Sequence, residues 1–360
     1  MKLPGSVRFH NIEDFMEHSV TGDAFISRIP GSLREQLNAN ARHRSLNTSG
    51  CEIRFRLTGP TVRFRLRACE VLSTHYGPSQ AQVLFGDFSH TYFHVDEAVA
   101  EIEIAVPDYD GLMKAHGERS LFHPRLVRLL LPPHTTISEL AIEGDVAPPE
   151  PGDVPAKRVL NYGSSITQGV GVATSRETWA ARCAHALGFD CINLGFGSGC
   201  HCEPAMTDYL CQRDDFDCAI LETGINMLQF DPSVADERIE ALIRRLSAAH
   251  PDKPIFCLGV FPCRDDIASN WSGRAAAIRK LVRETVERVG APNLHFIEGG
   301  KALDHRTDLT ADLVHPSPIG MTGLGTSVAG AIRRILGPGP ARQSDRSAGR
   351  DGDSAPKSPA

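Results

Sequence analysis

Beyond residue 158 the chain alternates strand-like and helix-like segments, and this alternation narrows the possible folds more than any other feature. "RVLNYG" is a short apolar run that stops at a glycine, and "SRETWAARCAHALG" has helical spacing and a terminal glycine. "FDCINLGFG", "FDCAILETG", "KPIFCLGVFP" and "NLHFIEGG" read as further strands. "ADERIEALIRRLSAAH", "GRAAAIRKLVRETVERVG" and "GMTGLGTSVAGAIRRILG" read as amphipathic helices between and after them. Apolar strands separated by helices build a parallel sheet covered on both faces. The spacing predicts an α/β domain over residues 158–336.

The preceding 147 residues follow another pattern. "CEIRFRLTGPTVRFRLRA" places Ile53, Phe55 and Leu57, then Val62, Phe64 and Leu66, on one face. Arg54, Arg56, Arg63 and Arg65 take the other, and Gly59-Pro60 predicts a turn joining two strands. "AQVLFGDFSHTYFHV", "VAEIEIAV", "RLVRLLL" and "ISELAIEG" continue the series of short strands, which predicts an all-β sandwich over residues 1–147. Residues 148–157 are rich in proline, glycine and charge and read as a linker, and residues 337–360 are too poor in apolar side chains to fold. A chain of 360 residues is long for one core, in keeping with two domains.

A net charge of −6, a pI near 6.2 and the lack of a basic block exclude an electrostatic case for nucleic acid or anionic membranes as partners. No stretch approaches the roughly 18 apolar residues of a membrane span. The opening "MKLPGSVRFHNIEDFMEHSV" lacks the apolar run of a signal peptide, so a soluble cytoplasmic protein is expected. In that setting the ten cysteines read as free thiols.

Ligands of open α/β sheets collect at the carboxyl ends of the strands. Four polar segments fall there: "YGSSITQG", "NLGFGSG", "ETGINM" and "DLVHPSP". The first puts two hydroxyls, Ser164 and Ser165, at a strand-to-helix bend, and these residues alone do not choose between them. A serine is a weak nucleophile without a base. The last segment offers one: Asp312 lies three residues before His315, and Pro316 biases His315 away from the α region. A carboxylate that fixes the imidazole tautomer is what a general-base histidine needs. "CHCEP" offers Cys200, His201 and Cys202, with Cys211 as a further ligand type, but zinc sites space paired cysteines by two to four residues. They read as reduced thiols beside the loop, with no metal expected. Glu222, at a buried strand end, is an acceptor behind the site or a purely structural group.

Together the four segments resemble the blocks of the SGNH, or GDSL-type, hydrolases over residues 158–336. The resemblance implies a flavodoxin-like three-layer domain and assigns the nucleophile to Ser165, within Gly-Ser-Ser-Ile where the family has Gly-Asp-Ser-Leu. It assigns Asp312 and His315 from "DLVHP", and Gly224 and Asn226 from "ETGINM", where Met227 replaces the block's aspartate. Block two, aligned from Asn193, places Ser198 where the family has its oxyanion glycine, with Gly197 or Gly199 as alternative donors. The implied oxyanion hole is the Ser165 N–H, an N–H near Ser198 and the Asn226 amide, with Gly197, His201 and Met227 beside the substrate. A jelly-roll-like sandwich before such a domain resembles a subgroup that contains bacterial carbohydrate esterases and a salicylyl-transferring enzyme of a tetracycline-type pathway. The implied activity is hydrolysis of an acylated small molecule or sugar with no bound cofactor. Acyl transfer from acyl-CoA to a hydroxyl is the alternative. A non-catalytic carbohydrate-binding protein is a third reading, against which the retained Ser, Asn, Asp and His argue.

Overall fold

The computed structural model describes residues 1–17, 24–71, 79–117, 120–268, 273–303 and 305–337; the expected disordered tail lies, beyond Gly337, outside them. The N-terminal half carries strands β1 (Arg8–His10), β2 (Asp14–Glu17) and β3 (Ala24–Ser27), then short helices α1 (Gly31–Arg34) and α2 (Ala39–Arg44). Strands β4 (Glu52–Val71), β5 (Gln80–Phe85), β6 (Phe88–His94) and β7 (Ala100–Ala105) follow, then helix α3 (Tyr109–Ala115) and strands β8 (Leu126–Leu130) and β9 (Thr135–Ala147). All pairings in this half are antiparallel, apart from a single isolated bridge between Lys2 and Ala141.

Gly59-Pro60 forms no turn. β4 runs unbroken through it, and against β9 the four residues from Thr58 to Thr61 face only Asp145. The reason lies in the neighbours: β1 and β8 pair with the first half of β4, and β7 and β9 with the second. Partners are thus available along its whole length, and a bulge absorbs the proline, which has no N–H to leave unpaired. The bulge also shifts the parity of the strand. Ile53, Phe55 and Leu57 on one side of it, and Val62, Phe64 and Leu66 on the other, therefore all enter one core.

The arginines of β4 divide at the same point. Arg63 meets Glu101 and Glu103 at the surface. Arg54 is buried against the second half of the chain, where it grips Asp190 with two nitrogens at 2.5 and 2.9 Å. Arg56 does the same to Asp153 at 2.7 and 2.8 Å, so the proline-rich connection is pinned at that residue.

The second half holds β10 (Arg158–Gly163), helix α4 (Ser165–Gln168), α5 (Trp179–Leu187), β11 (Asp190–Gly195), α6 (Pro204–Gln212), β12 (Cys218–Glu222) and α7 (Pro232–Ala249). It closes with β13 (Ile255–Leu258), α8 (Asp265–Ala268), α9 (Arg274–Val289), β14 (Leu294–Ile297) and α10 (Pro318–Leu336). The five strands are parallel in the order β11-β10-β12-β13-β14, the flavodoxin-like order. Every residue of β12 and β13 is buried, as expected of strands covered on both faces. The core of this half also takes in Ile29, Leu33, Leu37 and Ala41, contributed from around α1 and α2. Among the described residues no helix is long and apolar enough to cross a membrane.

Candidate active site

The order of the sheet reverses between β10 and β12, and a crevice opens there at the strands' carboxyl ends. β10 enters it and stops at Gly163. Ser164 caps α4, its Oγ accepting the Ile166 N–H at 3.1 Å, and α4 ends after one turn at Gly169 with φ of 100°. The turn lies hard against β11. A Cβ on Gly195 would sit 2.1 Å from the Gln168 nitrogen, so only glycine fits.

The two serines have different partners. Ser164 donates its hydroxyl to Glu222 Oε2 at 2.7 Å and its N–H to the same oxygen at 2.8 Å, and Thr167 Oγ1 adds a third bond at 3.0 Å. Burial pushes the Glu222 carboxyl up to about 7, although these bonds pull the other way. Ser165 instead donates its hydroxyl to His315 Nε2 at 2.7 Å. The neighbour the residues alone could not exclude is thus committed elsewhere.

His315 Nδ1–H donates to Asp312 Oδ2 at 2.6 Å. The other oxygen, Oδ1, accepts the N–H groups of Val314 and His315 at 2.8 and 3.0 Å and the Thr310 hydroxyl at 2.8 Å. Burial raises the Asp312 pKa, but these bonds outweigh it and hold the group well below the usual carboxylate range. An ionised Asp312 keeps the proton on Nδ1 and leaves the Nε2 lone pair facing Ser165.

The backbone N–H groups expected to donate at the site differ in what already holds them. The N–H of Gly197 is bound to Gln168 Oε1 at 2.7 Å and that of Gly199 to the Phe196 carbonyl at 2.9 Å, so neither glycine is available as the alternative donor. Ser198 lies between them in the left-handed region at φ 55°, and its N–H has no acceptor among the described residues. The Ser165 N–H likewise has none. Asn226 Oδ1 accepts the Cys200 N–H at 3.2 Å, which ties its side chain to the loop after β11.

The other expected pocket residues separate. Gly197 packs beside the nucleophile, with its missing Cβ 3.5 Å from that of Ser165. His201 is half-buried at the rim, edge-on to Phe230 and 3.1 Å from the Gln229 amide. Met227 is fully buried in the core of this half. It shares a 3₁₀ turn (Ile225–Gln229) with Asn226, and successive residues of such a turn face different ways. Cys200 and Cys202 are buried, burial pushes the Cys200 thiol up, and no group of three or more ligating side chains able to hold a metal occurs among the described residues. A cavity of about 510 Å³ between the two halves is lined by Tyr92, Arg176, Arg182 and His185 but by none of Ser165, Asn226, Asp312 or His315.

A Ser–His–Asp hydrogen-bonded chain at the carboxyl edge of a flavodoxin-like sheet defines the SGNH class of hydrolase domain. Residues 162–322 match the GDSL-like lipase/acylhydrolase family. No sequence match to a curated protein was found. Among solved structures, the salicylyl-acyltransferase SsfX3 from a tetracycline biosynthetic pathway superposes with a TM-score of 0.72 at 18% identity, covering 92% of this chain and 95% of that one. A family two carbohydrate esterase from Cellvibrio japonicus gives 0.60 at 13% identity, covering 92% and 96%. Another, from Clostridium thermocellum in complex with cellohexaose, gives 0.58 at 16% identity, covering 81% and 94%. At these identities the likeness is one of fold, and it extends over both halves of the chain.

Proposed function

We propose that the protein is a serine-dependent esterase that hydrolyses an acylated small molecule or sugar through an acyl-Ser165 intermediate. The observation that carries this reading is the unbroken chain from Ser165 Oγ through His315 to an Asp312 held ionised. Ser165 Oγ attacks the ester carbonyl while His315 Nε2 takes the hydroxyl proton. The carbonyl oxygen gains the negative charge and meets the N–H groups of Ser165 and Ser198 and the Asn226 amide. One such donor is worth roughly 2.7–4 kcal/mol of transition-state stabilisation. As the intermediate collapses, the bond to the leaving alcohol breaks and His315 returns the proton to it. Water then repeats the sequence in reverse, giving its proton to His315 and releasing the acid and a regenerated Ser165.

Acyl transfer, with acyl-CoA as donor and an organic hydroxyl as acceptor, is the second reading, and the full-length likeness to a salicylyl-acyltransferase is what favours it. Both reactions share the acyl-serine and differ in what attacks it. Water is present at about 55 M, so a transferase must hold its acceptor at a comparable effective molarity, which oriented binding can supply. The deciding experiment is incubation with 4-nitrophenyl acetate, alone and with a panel of alcohols and sugars, followed by mass spectrometry. Free acetate at a rate indifferent to the alcohol is expected. A new ester whose yield follows acceptor concentration would put transfer first.

A further inference from the structure

The loop that carries the Ser198 N–H is tied down by side chains from the N-terminal half of the chain. The carbonyl of Asn193 accepts Arg28 Nη1 at 2.9 Å and Asn11 Nδ2 at 3.0 Å, and that of Gly195 accepts Arg28 Nη2 at 2.8 Å. Asn40 Nδ2 donates to the Ser198 carbonyl at 3.1 Å, and Asn38 Nδ2 to that of Gly199 at 3.0 Å. Ahead of Ser198, the Gly197 N–H is held by Gln168, whose Nε2 in turn donates to Asn47 Oδ1 at 3.2 Å. The peptide that presents the Ser198 N–H is therefore bracketed. The bond before it runs back to Asn47 and the bond after it to Asn40.

Arg28 joins these ties to one another. It is fully buried, and its remaining bonds go to the carbonyls of Asn47 and Arg44, both at 2.7 Å, with the Phe196 ring 4.8 Å from the guanidinium carbon. Among the described residues no carboxylate pairs with it. A buried cation satisfied by carbonyl dipoles alone is a costly way to fill space, and packing could be supplied by an apolar side chain. What an apolar residue cannot do is hold four carbonyls from two chain segments in one geometry. Burial pushes the Arg28 pKa down to about 10, so the cation persists at neutral pH.

We propose that residues 28–47 fix the direction of the Ser198 N–H, with Arg28 and Asn40 as positioning residues for the oxyanion. This rests on the reading of Ser165 as the acylated residue. The N-terminal half is then part of the catalytic geometry, although none of its side chains needs to touch the reacting atoms.

Asn40→Ala is the decisive variant in the full-length protein, because Asn40 is exposed on α2 and alanine suits a helix. With 4-nitrophenyl acetate it should lower kcat about tenfold, a fraction of the hundredfold that a 1 Å misplacement can cost. KM should stay within about twofold and the melting temperature should be unchanged. A phenylboronic acid, which forms a tetrahedral adduct with an active serine, should bind more weakly by the same factor, as expected for a transition-state interaction. Arg28→Lys keeps the charge but loses the fork, and should lower kcat further in the fraction that remains folded. An Asn40→Ala enzyme with unchanged kcat and boronate affinity, or an Arg28→Lys enzyme with full activity per folded molecule, would overturn the proposal. A wild-type protein that neither turns over esters nor is labelled at Ser165 by a fluorophosphonate would overturn this proposal and the esterase reading together.

Discussion

The Glu222 carboxyl makes the stability of the protein depend on pH in an unusual direction. It is 2% exposed beneath α4, and burial raises it from an ordinary 4.5 to about 7. The folded state therefore binds this proton more tightly than the unfolded chain does. The stability it contributes is complete below pH 4.5 and is lost as pH rises through about 7. At 1.36 kcal/mol per pH unit, the loss across that window is roughly 3 kcal/mol, a sizeable share of the 5–15 kcal/mol typical of a folded protein. Glu222→Gln replaces the protonated acid by a neutral group of the same shape whose oxygen can still accept from Ser164 and Thr167. Urea unfolding of both proteins between about pH 5 and pH 8 isolates the effect, because every other titrating group cancels in the difference. The wild type should lose roughly 2–3 kcal/mol relative to the variant over that range. A difference that stays flat with pH would refute the assignment of a buried, proton-holding Glu222.

The proposed roles of the two serines separate cleanly: Ser165→Ala should abolish turnover and fluorophosphonate labelling, whereas Ser164→Ala should keep both and lose about 1 kcal/mol of stability with its bond to Glu222. Labelling that survives in Ser165→Ala and vanishes in Ser164→Ala would reverse the assignment. His315→Ala should lower kcat by several orders of magnitude without unfolding the protein, and Asp312→Asn by about 10⁴-fold or less through a misdirected imidazole. Stopped-flow turnover together with circular dichroism of each variant checks both, and a His315→Ala enzyme with wild-type kcat would exclude this histidine as the base.

How much of this was legible from the residues depended on how far apart the interacting groups lie in the chain. Asp312 and His315 lie three residues apart, so a local pattern was enough to pair them, whereas the strand that runs into a glycine offered both Ser164 and Ser165 and only the family resemblance chose between them. The parallel sheet was legible in the alternation of short apolar runs and amphipathic helices, but its strand order was not, and the flavodoxin-like arrangement came only with the resemblance. Gly59-Pro60 misled because a proline's effect on a strand depends on its partners, and β1, β7, β8 and β9 come from before and well after it in sequence. That Met227 is buried while its neighbour Asn226 is not could not be read from adjacency, because the phase of a 3₁₀ turn is not fixed by it. That the N–H of Gly197 is already bound depends on where the Gln168 side chain points, which no local pattern reveals. Asn38, Asn40 and Asn47 carried no signal at all, being isolated polar residues some 150 positions from the loop they hold.

That distance bears on what the N-terminal half is for. Ile29, Leu33 and Leu37 lie in the core of the second half, and burying each is worth about 1.5–3 kcal/mol, so together they rival the net stability of a typical domain. A segment that completes this core, and on our proposal fixes the Ser198 peptide, is built into the second half rather than appended to it. It is better understood as the wall against which the strand-end loops are set. The same wall supplies the rim: Asn40 is exposed beside Ser198, and Arg44 Nε lies 3.6 Å from the place a Gly197 side chain would occupy. Whatever attacks acyl-Ser165 on that side, water or an organic hydroxyl, passes groups belonging to residues 38–47. On the proposed acyl-Ser165 chemistry it is this short segment that borders the nucleophile, whereas none of Ser165, Asn226, Asp312 or His315 lines the cavity between the two halves.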